Sequence, residues 1–271
     1  MSDAGFDGLV IKIEMTGVEL DEETLIAQAG ESWDALVAHA AREGLWGIEN
    51  LSGIPGTVGA APVQNIGAYG CELQYTLAWV EAFDIKTGEV SRINNKDCAF
   101  GYRTSRFKKE SGRFVILRAA FKLNRNGVPN ASYKDLAEIP RLNLGEIRKK
   151  VLEIRAGKFP DLAKEGTAGS FFLNPVVSAQ KAAELSKKYP DLPQFMTNNG
   201  VKLSLAWIFD HVLGIKGMSV GGTRLFERQP LVIVAKFGAS ANDVLVLAEK
   251  IKKLVKEKLD IDIEKEVKII N

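Results

Sequence analysis

Residues 47–70 read Gly-Ile-Glu-Asn-Leu-Ser-Gly-Ile-Pro-Gly-Thr-Val-Gly-Ala-Ala-Pro-Val-Gln-Asn-Ile-Gly-Ala-Tyr-Gly, a run that combines six glycines and two prolines with one charged residue. Glycine adopts positive φ and lets backbone N–H groups approach a ligand closely. A succession of such turns forms concave donor sites suited to phosphates or a polarised ring. The spacing matches neither G-x-G-x-x-G nor the Walker A loop, so these nucleotide-binding motifs are absent. On composition alone, a loop-rich connector is an equally good interpretation.

Length and composition indicate a globular protein of one or two domains, because 271 residues can bury one large core or two modest ones. The net charge is +2 without a long Lys/Arg stripe, which argues against nucleic-acid binding. Cys71 and Cys98 suggest no disulfide framework and therefore a reducing compartment. His39 and His211 cannot form a histidine metal centre by themselves, so no metal is predicted. We find no membrane-spanning run and no signal peptide, and we expect a cytoplasmic protein without a membrane partner.

Hydrophobic periodicity and helix-capping residues predict a mixture of helices and strands, and hence an α+β fold. The predicted strands cover residues 8–15, 78–85, 89–93, 114–123, 229–236 and 261–270. Predicted helices cover 144–156 and begin at Ser32, Ser178, Ser204 and Ser240. Ser240 and Asp243 have capping-box spacing. A composition shift near Lys158-Phe-Pro-Asp161 predicts a domain boundary.

Three further segments carry candidate chemistry. Phe100-Gly-Tyr-Arg-Thr-Ser-Arg-Phe-Lys108 contains Arg103, a planar cation suited to bidentate carboxylate binding, although a surface ion pair is the commoner role of arginine. Thr167-Ala-Gly-Ser-Phe-Phe-Leu-Asn-Pro175 contains Ser170. Without G-x-S-x-G or a neighbouring histidine, composition alone favours a turn residue there. Glu264-Lys-Glu-Val-Lys268 contains Glu266, which could also be an exposed glutamate of an edge strand.

Taken in this order, the four segments resemble the UDP-N-acetylenolpyruvoylglucosamine reductase (MurB) family of peptidoglycan synthesis, and the resemblance extends from about Gly5 to Asn271. It implies an FAD-binding domain of the PCMH/vanillyl-alcohol-oxidase type over 1–160 and an α/β substrate-binding domain over 161–260. A C-terminal strand, 261–271, would return to the flavin site. The implied reaction is the NADPH-dependent, FAD-mediated reduction of UDP-N-acetylglucosamine enolpyruvate to UDP-N-acetylmuramate.

The same resemblance implies roles for individual residues. Arg103 would bind or polarise the enolpyruvyl carboxylate, Ser170 would protonate substrate C2, and Glu266 would help to stabilise or protonate the enol intermediate. The expected FAD contacts are Asn50, Ile54, Pro55, Gly56, Gly59, Ala60, Ala61, Gln64, Asn65, Gly67, Ala68 and Tyr69. The expected substrate contacts are Tyr133, Lys158, Asn174 and Gln229.

The chain departs from the family pattern in three ways. Leu173 stands where the family usually has lysine, and Lys265 stands where it has proline. Family members normally begin with another βαβ lobe that ends in a pyrophosphate-binding G-G-G-S-N-type loop. We expect this lobe to be absent, as in a truncated product or one with a misplaced start codon. Two alternatives therefore stay open: a flavin oxidase of the same fold, and a flavin-free fragment that binds UDP-sugar or is inactive.

Overall fold

The computed structural model describes residues 3, 5–130, 133, 136 and 143–270. The chain forms two compact units. The first unit is Val10–Arg155, and the second unit combines Met1–Leu9 with Ala156–Asn271. The functional domain limits expected at 160 and 260 stay a prediction. Among these residues, none of the helices combines the length and the hydropathy that a membrane span requires.

The first unit is built on an antiparallel sheet. Its strands are β1 (Val18–Asp21), β2 (Thr24–Gln28), β3 (Gly67–Ala68), β4 (Cys71–Glu72), β5 (Leu77–Asp84), β6 (Glu89–Asn94) and β7 (Phe114–Lys122). Five of them form a sheet in the order β1-β2-β7-β5-β6, and β3 pairs with β4 separately. Alternate residues of β5 face the core, among them Val80 and Ala82, as expected for a sheet with one buried face. The predicted hairpin of β5 and β6 is confirmed.

Three α-helices are described wholly or mostly within the first unit. They are α1 (Trp33–Arg42), α2 (Arg106–Lys109) and α3 (Leu144–Lys158). The prediction for α1 is confirmed: the Ser32 hydroxyl accepts a hydrogen bond from the Ala35 N–H, which satisfies a donor at the helix N-terminus. The apolar face of α1 is buried, and Trp33 packs edge-on against Phe121 of β7 with ring centroids 5.5 Å apart. The predicted helix over 144–156 is also confirmed and extends to Lys158.

The predicted strand over residues 8–15 is wrong. Leu9 is 83% exposed and Ile11 is 73% exposed, and no strand is assigned to this segment. An alternating pattern becomes a strand only when a neighbouring strand accepts its backbone hydrogen bonds. The chain instead enters the sheet at Val18, where β1 pairs with β2.

The second unit contains two small antiparallel sheets. Its strands are β8 (Gly166–Ser170), β9 (Val176–Val177), β10 (Gln194–Thr197), β11 (Gly200–Leu203), β12 (Ser219–Val220), β13 (Thr223–Phe226) and β14 (Gln229–Ala235). The strand orders are β12-β13-β14-β8 and β10-β11-β9. The predicted strand at 229–236 is thus confirmed as β14, which pairs with β8 and with β13.

The helices of this unit begin at the predicted serines. They are α4 (Ala179–Lys188), α5 (Leu205–Trp207, continuing as a π-helical turn over Ile208–Val212) and α6 (Ala241–Leu259). Ser178, Ser204 and Ser240 are their N-caps. The capping box at the start of α6 is confirmed, because Ser240 and Asp243 bond each other's backbone N–H groups. The apolar stripe of α6, including Leu247, Ile251 and Val255, lies in the core.

The continuous strand predicted over 261–270 is wrong as well. Ile261 and Ile263 are buried, so the alternation reflects burial of one side of the segment. Backbone pairing is confined to one bridge, between Lys265 and Phe172. This bridge therefore holds the segment next to the residues that follow β8, without making it a strand.

We expect Gly59→Ala to destabilise the first unit and Gly157→Ala to be neutral or stabilising. A Cβ at Gly59 would lie 2.7 Å from the Cβ of Ala29, whereas one at Gly157 on α3 would meet nothing within 4 Å. Overpacking costs about 1–3 kcal/mol, and Gly to Ala in a helix gains up to about 1 kcal/mol. Denaturant unfolding of both variants measures the difference. Equal stabilities would contradict this account of the loop's packing.

Candidate functional site

The glycine-rich segment of 47–70 is anchored beside the end of β2 and the start of α1. The Gly59 N–H donates to the Ala29 carbonyl over 2.9 Å, and the Trp33 N–H donates to the Gly56 carbonyl over 3.1 Å. The φ angle of Gly56 is +114°, and a Cβ built there meets nothing within 4 Å. Backbone conformation thus requires glycine at this position, and its absent side chain leaves the loop surface open.

Charged side chains bond both backbone groups of Gly53. Asp34 Oδ1 accepts from the Gly53 N–H over 2.6 Å, and Arg155 Nε donates to the Gly53 carbonyl over 2.9 Å. Arg148 in turn makes two bonds of 2.6 and 2.7 Å to the Asp34 carboxylate. Gly53 has φ +69°, and a Cβ on it would lie 2.7 Å from Leu152. Helix α3 therefore clamps the loop through Arg148, Leu152 and Arg155.

The electrostatics of this clamp follow from its contacts. Hydrogen bonding from Arg148 is the main cause that lowers the pKa of Asp34, and the Gly53 N–H adds to it. Burial lowers the pKa of Arg155, while interaction with Tyr69 opposes that shift. Tyr69 packs edge-on against Tyr133 with ring centroids 5.0 Å apart. Arg155 and the two predicted tyrosines therefore belong to one neighbourhood. The residues next to Tyr133, 132 and 134–135, lie outside the described part of the chain.

Asn50 has a buried acceptor for which the described residues supply no donor. The residue is 1% exposed, and its Nδ2 donates to the carbonyls of Tyr69 and Asn130 over 2.8 and 2.9 Å. These two acceptors fix the orientation of the amide. Its Oδ1 has no hydrogen-bond partner within the described structure. Leaving such an atom unsatisfied costs about 1–3 kcal/mol, so a donor on a bound cofactor fits this position.

Asn65, by contrast, uses its side chain within the protein. Its Nδ2 donates to Glu72 over 2.9 Å and to the Gly101 carbonyl over 3.1 Å, and its Oδ1 accepts from the Gln74 N–H. Ala61 likewise buries its methyl group in the core. These interactions favour backbone contacts for Asn65 and Ala61 in any complex. Pro55, Gly56 and Ala60 are exposed, so a ligand can reach them.

The Arg103 motif is joined to the glycine-rich segment. Arg103 Nη2 donates to the Gly67 carbonyl over 2.9 Å, and Ser105 Oγ donates to the Val63 carbonyl over 2.5 Å. With the bond from Asn65 to Gly101, three contacts connect the two segments. The structure therefore brings Arg103 next to Gly67, and its segment next to Asn65, two of the residues expected to contact FAD.

Ser170 ends β8 directly after a β-bulge. It pairs with Val232, and a register shift between Ile233 and Val234 accompanies an extra residue on β8. Gly169 has φ +67°, so it lies in the left-handed region. Bulges of this kind bend a strand and redirect the side chains next to them. The local geometry thus gives Ser170 a direction that a regular strand would not.

Glu266 lies beside the residues that follow Ser170. The Glu266 N–H donates to the Phe171 carbonyl, and the Leu173 N–H donates to the Glu264 carbonyl, each over 2.9 Å. Between these bonds, Phe172 and Lys265 form a bridge. Two segments far apart in sequence therefore meet, with the backbone of Glu266 bonded one residue beyond Ser170. The flanking bonds direct the Lys265 N–H away from Phe172, so the proline of the family pattern would lose no bond of this bridge.

The predicted substrate residues occupy different positions. Asn174 Oδ1 accepts from the Leu205 N–H over 2.9 Å at the start of α5. Gln229 is the first residue of β14, three positions before the partner of Ser170. Lys158 is the last residue of α3. Arg103 and Tyr133 belong to the first unit, whereas Ser170 and Glu266 belong to the second.

Sequence reasoning missed the clamp on Gly53. Asp34 and Arg148 are 114 residues apart, and neither lies in a recognisable motif. Arg155 lies three residues before Lys158, a predicted substrate contact, but its bond to Gly53 spans 102 residues. The one sequence signal was negative charge in the first turn of α1, which predicts helix stabilisation and no loop contact.

Two family models match separate parts of this chain, and its relatives cover nearly all of it. Residues 1–94 match a family model described as FAD binding domain, and residues 161–270 match one described as UDP-N-acetylenolpyruvoylglucosamine reductase, C-terminal domain. The UDP-N-acetylenolpyruvoylglucosamine reductase of Neisseria gonorrhoeae is 44% identical, covering 96% of this chain and 79% of that protein. The Bdellovibrio bacteriovorus reductase is 42% identical, with 96% and 80% covered. A crystal structure of UDP-N-acetylenolpyruvylglucosamine reductase from Thermus caldophilus has a TM-score of 0.62 and 26% identity, covering 90% of this chain and 71% of that one.

We expect Asp34→Asn to lower the free energy of unfolding more at pH 7 than at pH 2. The pKa of Asp34 is lowered in the folded state, so its contribution is present above the unfolded value of about 3.9 and is lost as the pH falls through the folded value. Denaturant titrations at both pH values measure the effect. Asp161→Asn, which removes an exposed ion pair with Lys164, is the control. The same destabilisation by Asp34→Asn at both pH values would contradict the charge interaction.

We expect Lys265→Pro to keep the stability of the protein within about 1 kcal/mol, because Lys265 donates no bond to its partner strand and its ion pair with Glu249 is exposed. Glu266→Pro is the matched comparison. It removes the bond to the Phe171 carbonyl and should cost about 1–3 kcal/mol. Thermal unfolding measures both variants. Equal destabilisation would show that the bridge is not oriented as described.

Proposed function

The chain belongs to the UDP-N-acetylenolpyruvoylglucosamine reductase family, and we propose that it catalyses the NADPH-dependent, FAD-mediated reduction of UDP-N-acetylglucosamine enolpyruvate to UDP-N-acetylmuramate. As a member of this family it is an FAD-dependent oxidoreductase of peptidoglycan synthesis. The observation that carries the finer proposal is the attachment of Arg103 to Gly67 within the glycine-rich segment. A guanidinium held at the cofactor loop suits a substrate that bears a carboxylate.

We propose that the glycine-rich segment holds FAD. The open position at Gly56 and the buried acceptor of Asn50 fit a group that approaches the backbone closely and offers a hydrogen-bond donor. The contacts proposed are the residues expected from the sequence: Asn50, Ile54, Pro55, Gly56, Gly59, Ala60, Ala61, Gln64, Asn65, Gly67, Ala68 and Tyr69. When bound, FAD supplies hydride transfer from NADPH to C3 of the enolpyruvyl group.

Three side chains would act on the substrate. Arg103 would bind the enolpyruvyl carboxylate, and its contact with Gly67 would hold the guanidinium in one orientation. Ser170 would donate its hydroxyl proton to C2, from the position that the bulge in β8 gives it. Glu266 would help to stabilise or protonate the enol intermediate, and its bond to Phe171 keeps its backbone next to Ser170. Such preorganised groups stabilise the charge that develops in the transition state.

Four further residues belong to the proposed substrate site. The substrate would contact Tyr133, Lys158, Asn174 and Gln229. Of these, Asn174 already accepts a hydrogen bond from the Leu205 N–H through its Oδ1.

We also propose a cytoplasmic location. Cys71 and Cys98 are free and buried, and burial raises the pKa of each thiol to about 12. Two unreactive thiols are compatible with a reducing compartment.

Absorption spectroscopy and product analysis test the proposed function. The purified protein should show flavin absorption bands, consume NADPH when UDP-N-acetylglucosamine enolpyruvate is added, and release UDP-N-acetylmuramate. A protein that neither carries nor takes up flavin would contradict the proposal and favour the flavin-free fragment. A flavoprotein that oxidises alcohols or hydroxy acids and leaves the enolpyruvate unchanged would favour the oxidase.

We expect Ser170→Ala to separate the two half-reactions. Reduction of bound flavin by NADPH should keep its wild-type rate, because Ser170 takes no part in it. Product formation should fall by about 10²–10⁴-fold through loss of the general acid. Stopped-flow absorbance follows both steps. Ser178→Ala, which removes only the N-cap of α4, is the control, and equal loss of both half-reactions in Ser170→Ala would refute the assignment.

A further inference from the structure

Arg103 has a backbone conformation that its side chain disfavours. Its φ is +52°, in the left-handed region, where a residue other than glycine, asparagine or aspartate is uncommon. The left-handed conformation costs about 1–2 kcal/mol for such a residue. It persists only where surrounding contacts determine it. The contacts of Arg103 therefore indicate what holds its guanidinium in place.

Lys108 supplies one of these contacts from the helix that follows. Its ammonium donates to the Arg103 carbonyl over 2.9 Å. The helix is anchored in turn, because Ser105 Oγ accepts from the Lys108 N–H and donates to the Val63 carbonyl. A hydrogen bond from a charged donor is about twice as strong as a neutral one. Lys108 is thus a fixed cation that stabilises the strained peptide of Arg103.

This backbone conformation determines where the guanidinium lies. Arg103 Nη2 bonds the Gly67 carbonyl, and Nη1 is 3.1 Å from the position of a Cβ on Gly67. The guanidinium therefore packs where Gly67 lacks a side chain. Returning φ to negative values would turn the Cα–Cβ bond of Arg103 and move the guanidinium away from Gly67.

We propose that Lys108 is a positioning residue for Arg103. By bonding the Arg103 carbonyl, it maintains the left-handed conformation and thereby keeps the guanidinium on Gly67. Its kinetic consequence rests on the proposed function, in which Arg103 binds the substrate carboxylate. The structural consequence is independent of that function.

Crystal structures of Lys108→Met and Lys109→Met test the structural consequence. Methionine keeps an unbranched stem and removes the charge, and Lys109 is an exposed neighbour on the same short helix. In Lys108→Met we expect Arg103 to adopt negative φ and its bond to Gly67 to break, whereas Lys109→Met should leave both unchanged. Lys108→Arg should preserve them, because it keeps a charged donor. An unchanged Arg103 in Lys108→Met would overturn the proposal, as would a Lys108→Met chain that fails to fold while Lys109→Met folds.

A double-mutant cycle with Arg103→Met tests the kinetic consequence. Lys108→Met should slow product formation from reduced enzyme about 10–100-fold, with flavin reduction by NADPH unchanged and partial recovery in Lys108→Arg. In the Arg103→Met background the same change should cost nothing further, because Lys108 acts through Arg103. Additive losses would overturn the proposal. If wild-type protein does not reduce the enolpyruvate, the proposed function fails, and the crystal structures still decide whether Lys108 positions Arg103.

Discussion

The first unit depends on side chains that bond the backbone of an irregular loop. A glycine-rich segment cannot satisfy its N–H and C=O groups through a regular ladder, and buried backbone groups must find partners. At Gly53, charged side chains are these partners. Asp34 accepts a hydrogen bond from the Gly53 N–H, and Arg155 donates one to the Gly53 carbonyl. Arg148 then neutralises Asp34. The clamp converts a sequence of high conformational entropy into one fixed surface, which is what a cofactor-binding loop needs.

The Arg103 motif follows the same rule at a second place. Ser105 and Arg103 each bond a carbonyl of the glycine-rich segment, and Asn65 bonds a carbonyl of the motif in return. These contacts are made by polar side chains between two loops, so removing one leaves a partner group unsatisfied. In the second unit, backbone pairing has this role. Strand β8 pairs with β14, and Phe171, which follows β8, accepts a hydrogen bond from the Glu266 N–H. In both units, hydrogen bonds hold the segments that carry the candidate functional residues in position.

Local sequence signals correctly predicted the helices that begin at a capping serine. Ser32, Ser178 and Ser240 each bond a free N–H of a helix, so capping residues located these helices correctly. Alternation of apolar and polar residues was less informative, because it indicates that one face of a segment is buried but does not identify a partner strand. That is why residues 8–15 remain outside the sheet and 261–270 make one bridge. The short strands β8 and β13 were missed since their pairing is set by neighbours distant in sequence.

The sequence by itself determined the family, the chemical character of Arg103, Ser170 and Glu266, and the loop on which glycine is required, because residue types and spacing carry that information. Only the tertiary structure decided that Gly53 is clamped by α3, that the buried acceptor of Asn50 finds no donor among the described residues, and that Arg103 is held in a left-handed conformation. These features depend on hydrogen bonds across as many as 114 residues. The bonds of the clamp, of Asn50 and from Arg103 to Gly67 form only once folding has brought distant partners together, and no local pattern encodes them.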